Sequence, residues 1–102
     1  MWHQKIYLLG FEMLKNLEDI ILLARERKKN KVDGSYTNKL LADKSLSKSK
    51  VEEEIAELIE AVEDNTNKIH EAADVLYHLV VYLEANNIQI EDVMKELNNR
   101  KK

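Results

Sequence analysis

Two carboxylate pairs, Glu54 with Glu57 and Glu71 with Asp74, are each separated by three positions. Residues at i and i+3 share a helix face, so each pair can offer its oxygens to one point. A third acid, Glu53, precedes the first pair and gives Glu-Glu-x-x-Glu upstream of Glu-x-x-Asp. Oxygen donors converging from two helices are what a hard divalent cation such as Mg2+ requires, with Mn2+ the alternative. That makes the chain a candidate metal-dependent enzyme acting on phosphates. One Glu-x-x-Glu alone is most often a solvated helix face. Two pairs flanking a single helical hairpin are harder to read that way.

Basic side chains that would share the charge of a phosphate ligand lie close by in the sequence. Residues 25–31 carry five basic side chains against one Glu, and Lys39, Lys44, Lys48 and Lys50 face only Asp43. Residues 52–64 then carry seven acids and no base. This juxtaposition suits a phosphate shared between a cation and charged donors. The net charge of −3 makes no global case for nucleic-acid binding.

The elements that must position these groups read as helices. The 102 residues contain no proline, two glycines and a sustained three-or-four spacing of apolar side chains, which predicts an all-α, four-to-five-helix bundle in a single domain over residues 1–102. The stripe Trp2, Ile6, Leu9, Met13, Leu17, Ile20 and Ala24 predicts a first helix to about residue 29, with Gly10 a point where it could break or kink. Residues 30–36 read as a loop, and a short helix is expected from 37 to about 43. Ser47 or Ser49 is then expected to cap a helix with the stripe Val51, Ile55, Leu58 and Val62, ending over residues 64–67. A further helix is expected from 66–69 to about 85, a turn at Asn86-Asn87, and a last amphipathic helix with Ile90, Val93, Met94 and Leu97.

Rotation of about 100° per residue sorts the acids. Glu54 falls just beyond the edge of the Val51 stripe and Glu57 a little further round, whereas Glu53 and Glu60 point nearly opposite. The helix after residue 69 is apolar almost all round, which predicts complete burial. Glu71, Asp74 and His78 nevertheless fall within an arc of roughly 60° on it. Ionised carboxylates on a core helix need either an exposed end or a compensating cation.

Lys5, Glu12, Lys15, Glu18 and Asp19 interrupt the apolar N-terminal run, which therefore lacks both a signal-peptide core and a membrane span. With no cysteine there is no disulfide framework or thiolate chemistry, which suits a cytoplasmic protein. A chain this short buries roughly 65% of its unfolded surface. More apolar surface is present than one small bundle hides, so a homodimer or higher homo-oligomer packed through helices is expected.

Several phrases resemble phosphoribosyl-ATP pyrophosphohydrolase, the second-step enzyme of histidine biosynthesis. They are Ser35-Tyr36-Thr37 followed by Leu40, Lys50 through Glu54, and Glu71-Ala72-Ala73-Asp74-Val75-Leu76-Tyr77-His78, with Asn87 through Arg100 fitting the same pattern. Arg27, eight residues before Ser35, also matches. The Glu-Glu-x-x-Glu and Glu-x-x-Asp motifs are shared with the wider all-α MazG-like and dimeric dUTPase-like pyrophosphohydrolases. Ser-Tyr-Thr and Ala-Asp-x-x-Tyr-His point to the histidine branch. The chain departs from that branch in lacking a glycine near Lys44-Ser45, and its spacing from Thr37 to Lys50 is one residue short.

The resemblance implies Mg2+-dependent hydrolysis of phosphoribosyl-ATP to phosphoribosyl-AMP and pyrophosphate. Glu54, Glu57, Glu71 and Asp74 would hold the metal. Glu53 or a ligand carboxylate such as Glu54 would serve as base. Arg27, Ser35, Tyr36, Thr37, Lys50 and His78 would contact substrate. Lys50 would act from the start of the metal helix, and His78 would either touch substrate or hold Asp74. The rival readings are a MazG-type house-cleaning nucleotide pyrophosphohydrolase and a metal-free helical interaction module.

Overall fold

Asparagine, rather than glycine, closes the helices at the two ends of the central hairpin. In the computed structural model, which describes the backbone of residues 2–101 and the side chains of residues 14–101, Asn65, Asn67 and Asn87 adopt left-handed backbone angles. Asparagine tolerates that conformation better than other non-glycine residues. Thr66 N–H donates to the Ala61 carbonyl and Asn65 N–H to that of Val62. At the next terminus Ile88 N–H reaches Leu83 and Asn87 N–H reaches Glu84. Both are Schellman closures that satisfy otherwise orphaned carbonyls.

Five helices, and no strand among the described residues, follow in the order α1 (Trp2–Lys29), α2 (Tyr36–Ala42), α3 (Lys44–Asp64), α4 (Lys68–Ala85) and α5 (Ile90–Arg100). The expected all-α bundle is therefore the observed one. Gly10 does not interrupt α1. The positive φ of +82° at Gly34 turns the loop between α1 and α2.

α3 begins earlier than its periodicity suggests. Neither Ser47 nor Ser49 caps it. Asp43 does, with its carboxylate accepting the Leu46 N–H at 3.0 Å. Asp43 alone joins α2 to α3 and has extended angles, φ −126° and ψ 93°. No left-handed residue is needed at this junction, which accounts for the absent glycine. Ser47 lies inside the helix and is buried.

The core gathers Ala24 of α1, Leu40 of α2, and Val80 and Val81 of α4. Leu17, Ile20, Ile21, Leu41, Leu46 and Tyr77 pack against it. Burying a side chain such as Leu40 or Val81 contributes roughly 1.5–3 kcal/mol. The lower half of the expected α1 stripe thus does what its spacing implies, while Trp2 to Met13 lie outside the described side chains.

α3 and α4 depart from expectation in the direction their apolar residues face. α3 buries Ser47, Glu54 and Ala61, a line spaced by sevens. Its apolar stripe lies to the side, with Ile55 at 42%, Ile59 at 56% and Val62 at 57% exposure. α4 is not buried all round either, since Ile69 is 88% and Leu76 49% exposed. The hairpin has charge towards its middle and oil on its flanks. α5 packs little against the other helices; its link to them runs through Arg25, whose guanidinium meets both Glu91 and the buried Glu84.

Candidate active site

The antiparallel pairing of α3 and α4 brings the predicted acids together in two overlapping groups. Ligand-capable oxygens of Glu54, Glu57 and Glu71 lie within 4.8 Å of one another. Asp74 joins Glu71 in a second group of the same tightness, whose third member is His70. Glu71 belongs to both. The four acids therefore do not form one simple cluster, and His70 is a member that the sequence reading missed. Its signal was available, because His70 lies one turn before Asp74 and its Nε2 sits 3.3 Å from that carboxylate.

Glu54 is 8% exposed, and its Oε2 has no hydrogen-bond partner; Glu71 Oε2 is buried and unpartnered as well. Burial, followed by the charge of Glu57, raises the Glu54 carboxyl above the ordinary range, and Asp74 adds to the shift. Glu71 is raised for the same two leading reasons. Carboxylates crowded out of water without a counter-charge cost several kcal/mol. A divalent cation with oxygen ligands would supply that counter-charge, so these residues fit one. Below them, a cavity of about 280 Å3 is lined by Glu57, Glu60, Asp64, Thr66, Asn67 and Glu71.

Glu53 and Lys50 sit apart from this cluster. Lys50 is in the second turn of α3, not at its N-terminus, because the helix starts at Lys44. The proposed help from the helix end therefore does not apply. The Lys50 ammonium lies 3.0 Å from Glu53 Oε2, and that contact raises its pKa. Glu53 is thus paired with Lys50.

The remaining predicted residues form a tight network around α2. Ser35 caps α2 by accepting the Asn38 N–H, and Arg27 Nη1 donates to the same Ser35 oxygen at 2.8 Å. The Thr37 hydroxyl is buried against the Tyr77 hydroxyl at 2.5 Å. Tyr36 stacks on Tyr77 with centroids 6.3 Å apart, and His78 stands edge-on to both rings. The His78 ring reaches the Tyr36 hydroxyl and the carbonyl of Asp74, not the Asp74 carboxylate. Burial raises the Tyr36 phenol, and Lys50 opposes that shift.

Asn38 was also missed. Its Nδ2 donates to the Arg27 carbonyl at 2.7 Å and its Oδ1 accepts the Val32 N–H at 2.9 Å. It binds the end of α1, the loop and α2 into one piece. Nothing in local sequence distinguishes such an amide from a solvated one.

The fold and site define a small all-α protein with a carboxylate centre between two antiparallel helices and a basic, aromatic shelf beside it. Residues 14–101 match the family model described as phosphoribosyl-ATP pyrophosphohydrolase, and the chain belongs to that family. It is 42% identical over 93 residues to a phosphoribosyl-ATP pyrophosphatase of Clostridium acetobutylicum, covering 87% of this chain and 81% of that one. A phosphoribosyl-ATP pyrophosphatase of Methanococcoides burtonii is 40% identical over 94 residues, covering 87% and 92%. The bifunctional histidine biosynthesis protein HisIE of Pyrococcus furiosus is 43% identical over 94 residues, covering 91% of this chain and 43% of that protein.

Proposed function

We propose that the chain hydrolyses phosphoribosyl-ATP to phosphoribosyl-AMP and pyrophosphate in histidine biosynthesis, with a divalent cation, Mg2+ or Mn2+, at the α3–α4 centre. The observation that carries the reading is the pair of buried, unpartnered oxygens on Glu54 and Glu71, in a chain of this family. Glu54, Glu57, Glu71 and Asp74 would hold the cation. When bound there, it neutralises charge on the phosphate chain and makes water a better nucleophile.

The chain's own residues divide the other tasks. Glu53 pairs with Lys50 outside the acidic groups, and the carboxylates of the centre, Glu54 among them, are better placed to take a proton from the attacking water. Arg27 is steadied by Ser35 through one nitrogen, and its fork has further donors for phosphate oxygens. Lys50 adds positive charge near Tyr36 and opposes the rise of its phenol. Tyr36 and Ser35 border the shelf. Thr37 and His78 are buried behind it and set its shape.

The uncovered stripes on α3 and α4 support a homodimer formed through these helices. No helix among the described residues is long and apolar enough to cross a membrane.

The reading is tested by incubating the purified protein with phosphoribosyl-ATP, Mg2+ and a panel of nucleoside triphosphates including dUTP. Pyrophosphate, not orthophosphate, should be released from phosphoribosyl-ATP, and Asp74→Asn should abolish it. Preferential cleavage of other triphosphates would transfer the chain to the MazG-type activity. No saturable cation binding in calorimetry would leave a non-enzymatic helical module.

A further inference from the structure

We propose that His70 is a nitrogen ligand that makes the outer half of the carboxylate centre a site for a transition-metal dication of the Mn2+ or Co2+ class. This rests on the reading that the centre binds divalent cations, and it adds a metal preference to it.

The geometry separates an inner from an outer position. The inner group, Glu54, Glu57 and Glu71, offers oxygen alone. The outer group, His70, Glu71 and Asp74, offers one imidazole nitrogen with two carboxylates, its atoms also within 4.8 Å of one another. Glu71 is common to both and has two oxygens, one of them buried without a partner. Glu71 is thus the residue that joins the two positions. The inner neighbour Glu54 is more than nine-tenths buried and aims a second unpartnered oxygen into the same centre. The whole constellation is short of positive charge.

His70 is placed to respond. Its side chain is 72% exposed, and its single recorded polar contact is with Asp74, one helical turn on. A small rotation of a solvated ring costs little, so nothing holds His70 away from a cation shared with Asp74. His78, by contrast, has both ring nitrogens engaged, one with Tyr36 and one with the Asp74 carbonyl. Among the described histidines, His70 is therefore the one with a nitrogen to give. Oxygen-only sites suit Mg2+, whereas imidazole favours first-row transition metals, with affinity rising from Mn2+ through Co2+. The mixed outer group should bind those ions in preference to Mg2+.

The test uses full-length, metal-stripped protein titrated separately with Mn2+, Co2+ and Mg2+. Pulsed electron paramagnetic resonance of the Mn2+ form should show coupling to a directly bonded imidazole nitrogen. His70→Ala should remove that coupling and weaken Mn2+ and Co2+ binding about tenfold or more, the range seen when partners of a metal site are lost. Calorimetric Mg2+ affinity should stay within about twofold, because the oxygen ligands are intact. The exposed position of His70 keeps the variant folded, which a thermal melt verifies. Absence of nitrogen coupling in the unmodified protein, or unchanged Mn2+ affinity in His70→Ala, overturns the assignment of His70 while Mg2+ binding and pyrophosphate release persist. Failure of the unmodified protein to bind any of the three ions overturns the carboxylate centre as well.

Discussion

The Tyr36 hydroxyl lies 3.0 Å from His78 Nε2, while His78 Nδ1 lies 2.8 Å from the carbonyl oxygen of Asp74. A carbonyl can only accept, so Nδ1 donates to it, and in the neutral ring Nε2 accepts from the tyrosine. The shelf on α2 is thereby tied to the turn of α4 that carries Asp74. Tyr36→Phe removes the donor and leaves a buried ring nitrogen unpaired. Stability should fall by about 1 kcal/mol in chemical denaturation. The Nε2 signal in nitrogen NMR should shift while Nδ1 stays protonated. An unchanged Nε2 signal would mean that the bond is not made in solution.

Glu54→Gln should separate stability from activity. The substitution keeps the shape of a buried side chain while removing a charge that has no partner on one oxygen. The metal-free variant should melt higher than the unmodified protein, since an unpaired buried charge is costly. Pyrophosphate release should drop on the order of a hundredfold or more, given how strongly metal sites depend on their ligands. A variant that melts lower and retains activity would contradict both the burial and the role.

Asn38→Ala should loosen the loop that carries Ser35. It leaves the Val32 N–H and the Arg27 carbonyl without their partner. Both bonds are partly exposed, and losing each costs about 1 kcal/mol. The substrate KM should rise more than kcat falls, because the change disturbs the setting of Arg27 and not the acids of α3. Hydrogen exchange in residues 30–35 should accelerate. Unaltered exchange there would show that the amide is not a staple.

Arg25 holds the Glu91 carboxyl down to about 2 from its ordinary 4.5, chiefly through hydrogen bonding. The folded value lies below the unfolded one, so the unfolded chain binds the extra proton between them. The contribution of this pair is therefore complete above the ordinary value and is lost as the pH falls towards the depressed one. NMR signals of α5 should remain native at about pH 4 and move only near the depressed value, while Glu91→Gln should move them at neutral pH. Detachment of α5 already at about pH 5 would rule the pairing out.

Ile59→Glu should convert an oligomer to a monomer. Ile59 is 56% exposed between Ile55 and Val62 on one face of α3. A charge placed in a buried apolar interface is among the costlier substitutions. Light scattering should report a halved mass with helicity retained. A monomeric mass for the unmodified protein would remove the dimer from the proposal.

Helix number, helix order and the choice of α3 and α4 as carriers of the acids could be read from periodicity. Rotation along α3 also separated Glu54 and Glu57 from Glu53 correctly in space. The start of α3 was obscured because Asp43, Ser47 and Ser49 are all good caps by type, and only tertiary packing sends Ser47 inside. Burial was misjudged for Ile55, Val62, Ile69 and Leu76. Periodicity reports that a face is apolar but not whether this chain covers it. His70 was legible in its four-residue spacing to Asp74, whereas Asn38 was overlooked because its role depends on what lies across a loop. A residue's type says little about such partners.

All of the acids at the centre come from one helical hairpin, Glu54 to Asp74, closed by the left-handed asparagines at 65 and 67. Contacts that are close in sequence form early in folding. We expect the acids to meet as this hairpin forms, where they repel one another unless a cation is present. A dication present during folding would bind this early hairpin and lower the barrier. Chelators should then slow refolding as well as abolish turnover, making the cation an assembly factor before it is a cofactor.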